Sequence, residues 1–393
     1  MSRFLELVLD HEQYRKGVIN LQASENVMSP EVIKCLGSDM ASRYSLYEPA
    51  IKSDAYGGTK YSEEVLHETE KLASEVFGTK FSEVRSLGGH IAAEIVLLST
   101  VKKKENILSI SEADGGYTGY QSGFLPEMFC FQNYKLPYKK NIQEIDFEKL
   151  EKVTKSTKPK LIMLGQSFFL KPYDLKRVRE VADESESYVA YDASHVLGLV
   201  GGKAFQEDIA KYSDIFFGST HKTFFGPQGG LIFTNNEDLY NRIEKNITWR
   251  TMDNYHISRV AAIGTALDEM KQFGKEYAST VVKNSQELGK HLRENGFPIL
   301  YDPWYSFSHQ LHIAKTQLEN PNEFLEMSKK LEENGIIIDR EGRIGTAEIT
   351  RMGMNDMENL AHLFIRSLKG ENVRKEVEGI ALNLRMRYWN GYV

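Results

Sequence analysis

Lys222 is the residue of this sequence best suited to act as a nucleophile. It lies in Gly218-Ser-Thr-His-Lys222-Thr-Phe-Phe-Gly-Pro-Gln-Gly-Gly230, directly after the apolar run that ends Asp214-Ile-Phe-Phe. A buried lysine is costly unless its charge is removed or used, and a desolvated amine attacks an aldehyde readily. The glycines let backbone approach a bulky ligand. Alone, the segment reads equally well as a solvated loop. Asp192 shifts that balance. It ends the apolar run Tyr188-Val-Ala-Tyr-Asp192, where a carboxylate needs a cationic partner such as a protonated pyridine nitrogen. His195, three residues on, has the choice of bonding Asp192 or packing on a ring, although a lone histidine is more often structural. Gly88-Gly89-His90 opens an apolar helix and offers free N–H groups and the positive end of a dipole to a phosphate; turn chemistry explains the glycine pair as well. Ser219 and Thr220 add hydroxyls. Amine, carboxylate and phosphate cradle together suit pyridoxal phosphate.

These residues need a scaffold that delivers them to one edge. The spacing predicts a helix over 62–77, stopped by Gly78, and another over 90–101. Apolar strands are expected at 106–111, 161–167, 188–194, 214–220 and 230–234, with an amphipathic helix over 174–185. Strands buried on both faces and separated by helices give a mostly parallel sheet, an α/β fold. Ligands of such sheets lie beyond the carboxyl ends of the strands. That rule selects Ser167, Asp192 with His195, and His221 with Lys222.

At 393 residues the chain is expected to divide into a large and a smaller domain. Beyond about residue 268 the texture changes to long charged helices and short strands such as 335–339. A net charge of -6 argues against a nucleic-acid partner. No apolar run approaches a membrane span, and the first ten residues lack the features of a signal peptide. A cytoplasmic protein is expected. Cys35 and Cys130 are too few for a disulfide framework and are expected to be buried. His309 and His312 have no acid or cysteine cluster beside them, so no metal site is expected.

Asp192-Ala-Ser-His195-Val-Leu-Gly-Leu and Thr220-His-Lys222-Thr-Phe-Phe-Gly-Pro-Gln-Gly-Gly resemble the cofactor segments of the serine hydroxymethyltransferase family. Leu21-Gln-Ala-Ser24-Glu-Asn26, Tyr56-Gly-Gly-Thr and Arg343-Ile-Gly-Thr-Ala-Glu-Ile-Thr-Arg351 resemble further landmarks, in the family's order. The resemblance implies the aspartate-aminotransferase-like fold (type I of the pyridoxal-phosphate enzymes). It implies an arm over 1–45, a large domain with a seven-stranded type of sheet over 46–265, and a smaller α+β domain over 266–393. Lys222 would form the Schiff base, Asp192 would pair with the pyridine nitrogen, and His195 and Ser167 would lie by the ring and its O3'. Tyr117 would stack on the ring. Gly88, Gly89 and His90, with Ser219, Thr220 and His221, would complete the cofactor site. Ser24 and Arg343 would hold the substrate carboxylate. Tyr44 and Tyr56 would come from the partner subunit of a homodimer with shared sites.

Three departures from the family's pattern bear on function. Leu46 stands where the family has a glutamate, with Glu48 the nearest acid. The long loop expected before Arg343 is absent. Trp249-Arg-Thr-Met-Asp-Asn254 replaces a glycine-rich phosphate loop, leaving Arg250 as an alternative phosphate ligand. The expected activity is therefore on serine/glycine or a related 3-hydroxy amino acid, by aldol-type Cα–Cβ cleavage or hydroxymethyl transfer, with tetrahydrofolate use in doubt. The other readings are an aminotransferase or racemase on the same fold, and a non-catalytic cofactor-binding protein.

Overall fold

The apolar runs become the inner strands of a seven-stranded sheet. In the computed structural model, which describes residues 1–48, 51–314 and 321–391, the strands are β1 (Phe81–Glu83), β2 (Asn106–Ser109), β3 (Gln132–Lys135), β4 (Leu161–Leu164), β5 (Tyr188–Asp192), β6 (Ile215–Ser219) and β7 (Gly230–Thr234). Their order is β1-β7-β6-β5-β4-β2-β3. β7 is antiparallel to β6 and β1, and the other pairings are parallel. β4, β6 and β7 are buried at every position, as strands covered on both faces must be. β1 and β3 carry no apolar run that would announce them: β1 has three residues, and β3 is the polar edge strand Gln-Asn-Tyr-Lys.

Helix α1 (Lys60–Phe77) ends at Gly78, whose left-handed φ of 70° suits glycine. Helix α2 (Gly89–Thr100) buries Ala92, Ile95 and Val96 in one cluster with Ile107, Met163, Ala190 and Phe217 of the sheet. Helix α3 (Leu175–Glu184) is capped by Asp174, which accepts from the Arg177 N–H. These helices fix the strand ends on which the expected chemistry depends.

The chain divides into two compact units, residues 27–278 with 389–393, and residues 1–26 with 279–388. These bounds differ from the divisions at 45/46 and 265/266 drawn from the sequence. The later one falls inside helix α4, which runs unbroken from Ile257 to Glu294. In the smaller unit, Ile19–Asn20 pairs in parallel with Ile336–Ile337, and Gln310–His312 pairs antiparallel with Arg343–Gly345. Leu288, Leu292, Leu331, Leu360 and Phe364 belong to its core.

One expectation fails. Cys130 is exposed and Cys35 only half-buried. Cys130 occupies a left-handed turn (φ 60°) between the short helix Leu125–Met128 and edge strand β3, where the chain turns at the surface. Among the described residues, no helix is long and apolar enough to cross a membrane.

Candidate active site

Asp192 ends β5, and Lys222 stands three residues beyond the end of β6, the neighbouring parallel strand. The Asp192 carboxylate is held in a fixed plane. Its Oδ2 accepts from the Tyr120 hydroxyl at 2.7 Å and its Oδ1 from the Ser194 N–H at 2.9 Å. A carboxylate has about four lone-pair positions, so these two bonds leave capacity for a further N–H. Gly165, just past β4, lies so near that a Cβ there would sit 2.6 Å from the Asp192 carbonyl oxygen.

The lysine segment is tied down on both sides. The Thr220 hydroxyl donates to the Pro227 carbonyl at 2.5 Å and the Gly226 N–H to the Thr220 carbonyl at 2.8 Å. The Thr223 hydroxyl donates to the His195 carbonyl at 2.9 Å and accepts from the Gly198 N–H at 3.0 Å. A Cβ on Gly198 would meet the Thr223 carbonyl oxygen at 2.1 Å, so the two segments lock together through glycine. Thr220, fully buried, thus serves the loop with its hydroxyl hydrogen. His195 is buried, and Lys222 and His221 are half-buried. The His221 Nδ1 is buried without a hydrogen-bond partner. Burial, then the neighbouring Lys222 charge, push this imidazole down to about 4, so it is neutral near pH 7.

A second group of residues meets at the start of α2. Gly88 is extended and offers no side-chain cap, so the first-turn N–H groups have no partner of that kind. A Cβ on Gly89 would lie 2.1 Å from the Ser219 Oγ. Only glycine there lets that hydroxyl close on the helix start. His90 Nδ1 is 2.9 Å from the Tyr117 hydroxyl, and the Tyr117 ring packs edge-on against Tyr120, centroids 5.2 Å apart. Side chains therefore run without a break from Asp192 through Tyr120 and Tyr117 to His90. Burial, then Asp192, hold the Tyr120 hydroxyl well above its ordinary 10.0, so it keeps the hydrogen it donates. The Ser167 N–H bonds the Gly115 carbonyl at 2.8 Å, two residues before Tyr117. These groups fit pyridoxal phosphate: an uncapped helix start and a hydroxyl for the phosphate, a carboxylate for the ring nitrogen, and a buried imidazole nitrogen beside the lysine. Tyr120 was missed in the sequence, where only its three-residue spacing from Tyr117 after a glycine pair marks it.

In the smaller unit, Ser24 and Arg343 are drawn together from opposite ends of the sequence. The Gly345 N–H donates to the Leu21 carbonyl at 2.7 Å, and a Cβ on Gly345 would meet the Ala23 Cα at 2.5 Å. His309 Nε2 lies 2.9 Å from the Ala23 carbonyl oxygen. The Leu21–Asn26 segment therefore lies against the Arg343–Gly345 strand, with Ser24 half-buried and Arg343 9% exposed. Arg343 Nε donates to Asp339 Oδ2 at 2.6 Å.

Tyr44 and Tyr56 behave differently. Both are exposed, with ring centroids 4.7 Å apart. Tyr44 donates to Asp253 at 2.9 Å, inside the segment 249–254, and this bond above all pushes its hydroxyl up to about 12. Leu46 is 3% exposed, and its N–H bonds Asp54. It is core, and no carboxylate occupies its place. Glu48 is half-buried and pairs with Ser53 in a short hairpin. Arg250 donates to Asn246 at 2.6 Å.

Residues 3–362 match the family described as serine hydroxymethyltransferase. The chain belongs to this family. It is 31% identical over 393 residues to the serine hydroxymethyltransferase of Methanobrevibacter smithii, covering 95% of this chain and 92% of that one. To the serine hydroxymethyltransferase of Pyrobaculum calidifontis it is 34% identical, covering 96% and 91%. A similar solved structure is L-threonine transaldolase from Pseudomonas fluorescens in its internal aldimine state, with a TM-score of 0.90, 25% identity, and 98% and 92% coverage. The fold is thus type I of the pyridoxal-phosphate enzymes. Like the rest of its family, this serine hydroxymethyltransferase relative is a pyridoxal-phosphate-dependent enzyme of the transferase and aldolase type.

Proposed function

We propose that this enzyme cleaves or forms the Cα–Cβ bond of a 3-hydroxy amino acid with little dependence on tetrahydrofolate. One observation carries the reading. The residues suited to the cofactor are assembled, whereas the position expected to hold the family's glutamate is Leu46, 3% exposed and packed in the core. The neighbour's name refers to threonine, which favours a substrate with a substituted side chain over serine alone.

Bound pyridoxal phosphate supplies an aldehyde and a ring that draws electrons from the substrate Cα. Lys222 would hold that aldehyde through its Nζ. Asp192 keeps a proton on the ring nitrogen, and Tyr120 and the Ser194 N–H keep Asp192 in place. The first turn of α2, with Ser219, holds the phosphate. Arg343 and Ser24 orient the substrate carboxylate and so select which bond at Cα breaks.

The enzyme acts as a homodimer in this proposal, Tyr44, Tyr56 and the 249–254 segment serving the partner's site. Their exposure supports it, as do Phe4 (81% exposed), Val8 (51%) and the rest of the helix Arg3–Lys16, which buries no residue. The test is incubation of the purified protein with serine, threonine and allo-threonine, with and without tetrahydrofolate, following aldehyde and glycine. Aldehyde release without folate is the expected result. Keto-acid formation or loss of optical activity alone would instead point to an aminotransferase or a racemase. Serine-to-glycine conversion accelerated strongly by folate would overturn the folate part.

A further inference from the structure

We infer that Asp339 is the positioning residue that aims Arg343 at the substrate carboxylate. The inference rests on the proposed role of Arg343. The segment between the strands Ile336–Ile337 and Arg343–Gly345 is short, and a short connection holds a long side chain loosely unless something binds both. Asp339 does so. Its Oδ1 accepts three successive backbone N–H groups, from Glu341 at 3.0 Å, Gly342 at 3.0 Å and Arg343 at 2.9 Å. Its Oδ2 accepts from Arg343 Nε at 2.6 Å. Gly342 has φ 101°, a conformation that glycine adopts at little cost.

Asp339 and Arg343 are 7% and 9% exposed. Removed from water, either charge would be costly to leave without the other. A guanidinium is planar with its N–H groups in a fixed fork. Engaging Nε from a carboxylate fixed by three backbone bonds therefore sets the plane of the whole group. The strand behind it is fixed as well: Arg343 pairs with His312, and the Ile313 N–H donates to the Gly342 carbonyl at 3.0 Å. Asp339 thus links a rigid turn to the guanidinium that, with Ser24, orients the substrate.

The two oxygens of Asp339 have separable jobs, which makes the inference testable. Asp339→Asn retains an oxygen for the three backbone N–H groups but turns an amide donor toward Nε. Binding of glycine and of glycinamide to the cofactor-loaded dimer is followed by the change in cofactor absorbance, alongside kcat and thermal unfolding. Asp339→Asn should weaken glycine about 10- to 100-fold, the scale of one charge-assisted bond, and raise KM far more than it lowers kcat. Glycinamide, which lacks the carboxylate, should be affected less than about twofold. With Arg343→Lys, which has no Nε at that position, adding Asp339→Asn should cost nothing further. That comparison also serves if Asp339→Asn lowers the melting temperature.

Unchanged or tighter glycine binding in Asp339→Asn would overturn the inference, and tighter binding would make Asp339 a competitor of the substrate. Equal weakening of glycine and glycinamide would reduce Asp339 to a structural support. Failure of the underlying reading looks different: Arg343→Lys would then leave glycine affinity unchanged whatever stands at 339.

Discussion

The ends of β5 and β6 and the patch around Tyr44 and Tyr56 were both expected to contribute to catalysis, and they are built in opposite ways. At the strand ends the groups are held from within: Asp192 by Tyr120 and Ser194, and the lysine segment by Thr220 and Thr223. In the patch the two tyrosines and Trp249 (70% exposed) stand at the surface. The contrast separates groups that need a fixed place before any ligand arrives from groups whose surroundings a second copy would complete. Electrostatic stabilisation depends on such preorganisation, so damage to the strand ends should cost more than damage elsewhere.

The largest effect is expected for Lys222→Ala, which should lower turnover by about three or more orders of magnitude. Borohydride should couple the cofactor to Lys222 in the native enzyme and to no lysine in the variant; label on another lysine sinks the assignment. The two regions meet in a complementation test. Lys222→Ala and Tyr56→Ala chains, each impaired alone and refolded as a mixture, should reach about a quarter of native activity if sites are shared in a two-fold dimer. No recovery would return Tyr56 to its own protomer's surface.

Asp192→Asn should cost about 10²- to 10³-fold in kcat with cofactor retained, and Tyr120→Phe about 10-fold, with a shifted cofactor absorbance that a mere packing defect would not give. Equal losses in the two variants would mean that Tyr120 does more than hold Asp192.

The smaller unit has a buried acid of its own. Glu348, its side chain 13% exposed, bonds Asn20 at 2.7 Å and lies 3.8 Å from Arg15, and burial pushes it up from an ordinary 4.5 to about 7. The folded state binds this proton more tightly than the unfolded chain does. Its contribution is therefore fully present below pH 4.5, is lost as pH rises from 4.5 to 7, and stays lost above. Glu348→Gln should remove that slope, on the order of 2 kcal/mol between pH 5 and pH 8 by urea titration. An unaltered slope would assign it to other groups.

The smallest effect is expected for Glu48→Gln, less than about twofold on folate-free cleavage, because the residue stands half-buried in a short antiparallel pairing with Ser53. A large loss would make Glu48 the substitute for the missing glutamate.

The sequence announced the sheet wherever a strand is covered on both faces, since such strands must be continuously apolar. It was silent on β3, a polar edge strand, and on β1, too short to show a period. Asp192 and Lys222 were legible because a charge ending an apolar run is costly without a purpose. Tyr120 was not, because a buried tyrosine is ordinary until its hydroxyl is found on Asp192. Asp339 was hidden for a similar reason: an aspartate in a polar turn acquires meaning only from the three N–H groups and the guanidinium around it. Residues 3–362 match the serine hydroxymethyltransferase family, so the family was readable where the folate question was not.

The contact between Gly345 and the Leu21–Ala23 segment has a consequence for biosynthesis. The pairing joins residues more than 300 positions apart, and a chain emerging from the ribosome reaches Gly345 only after all of 27–278 has been made. Lys222, Asp192 and the α2 start are thus available to fold first, while residues 19–24 wait for a strand not yet synthesised. Contacts this distant form late and slowly. A nascent chain should therefore become able to take up its cofactor before it has anything with which to grip an amino acid.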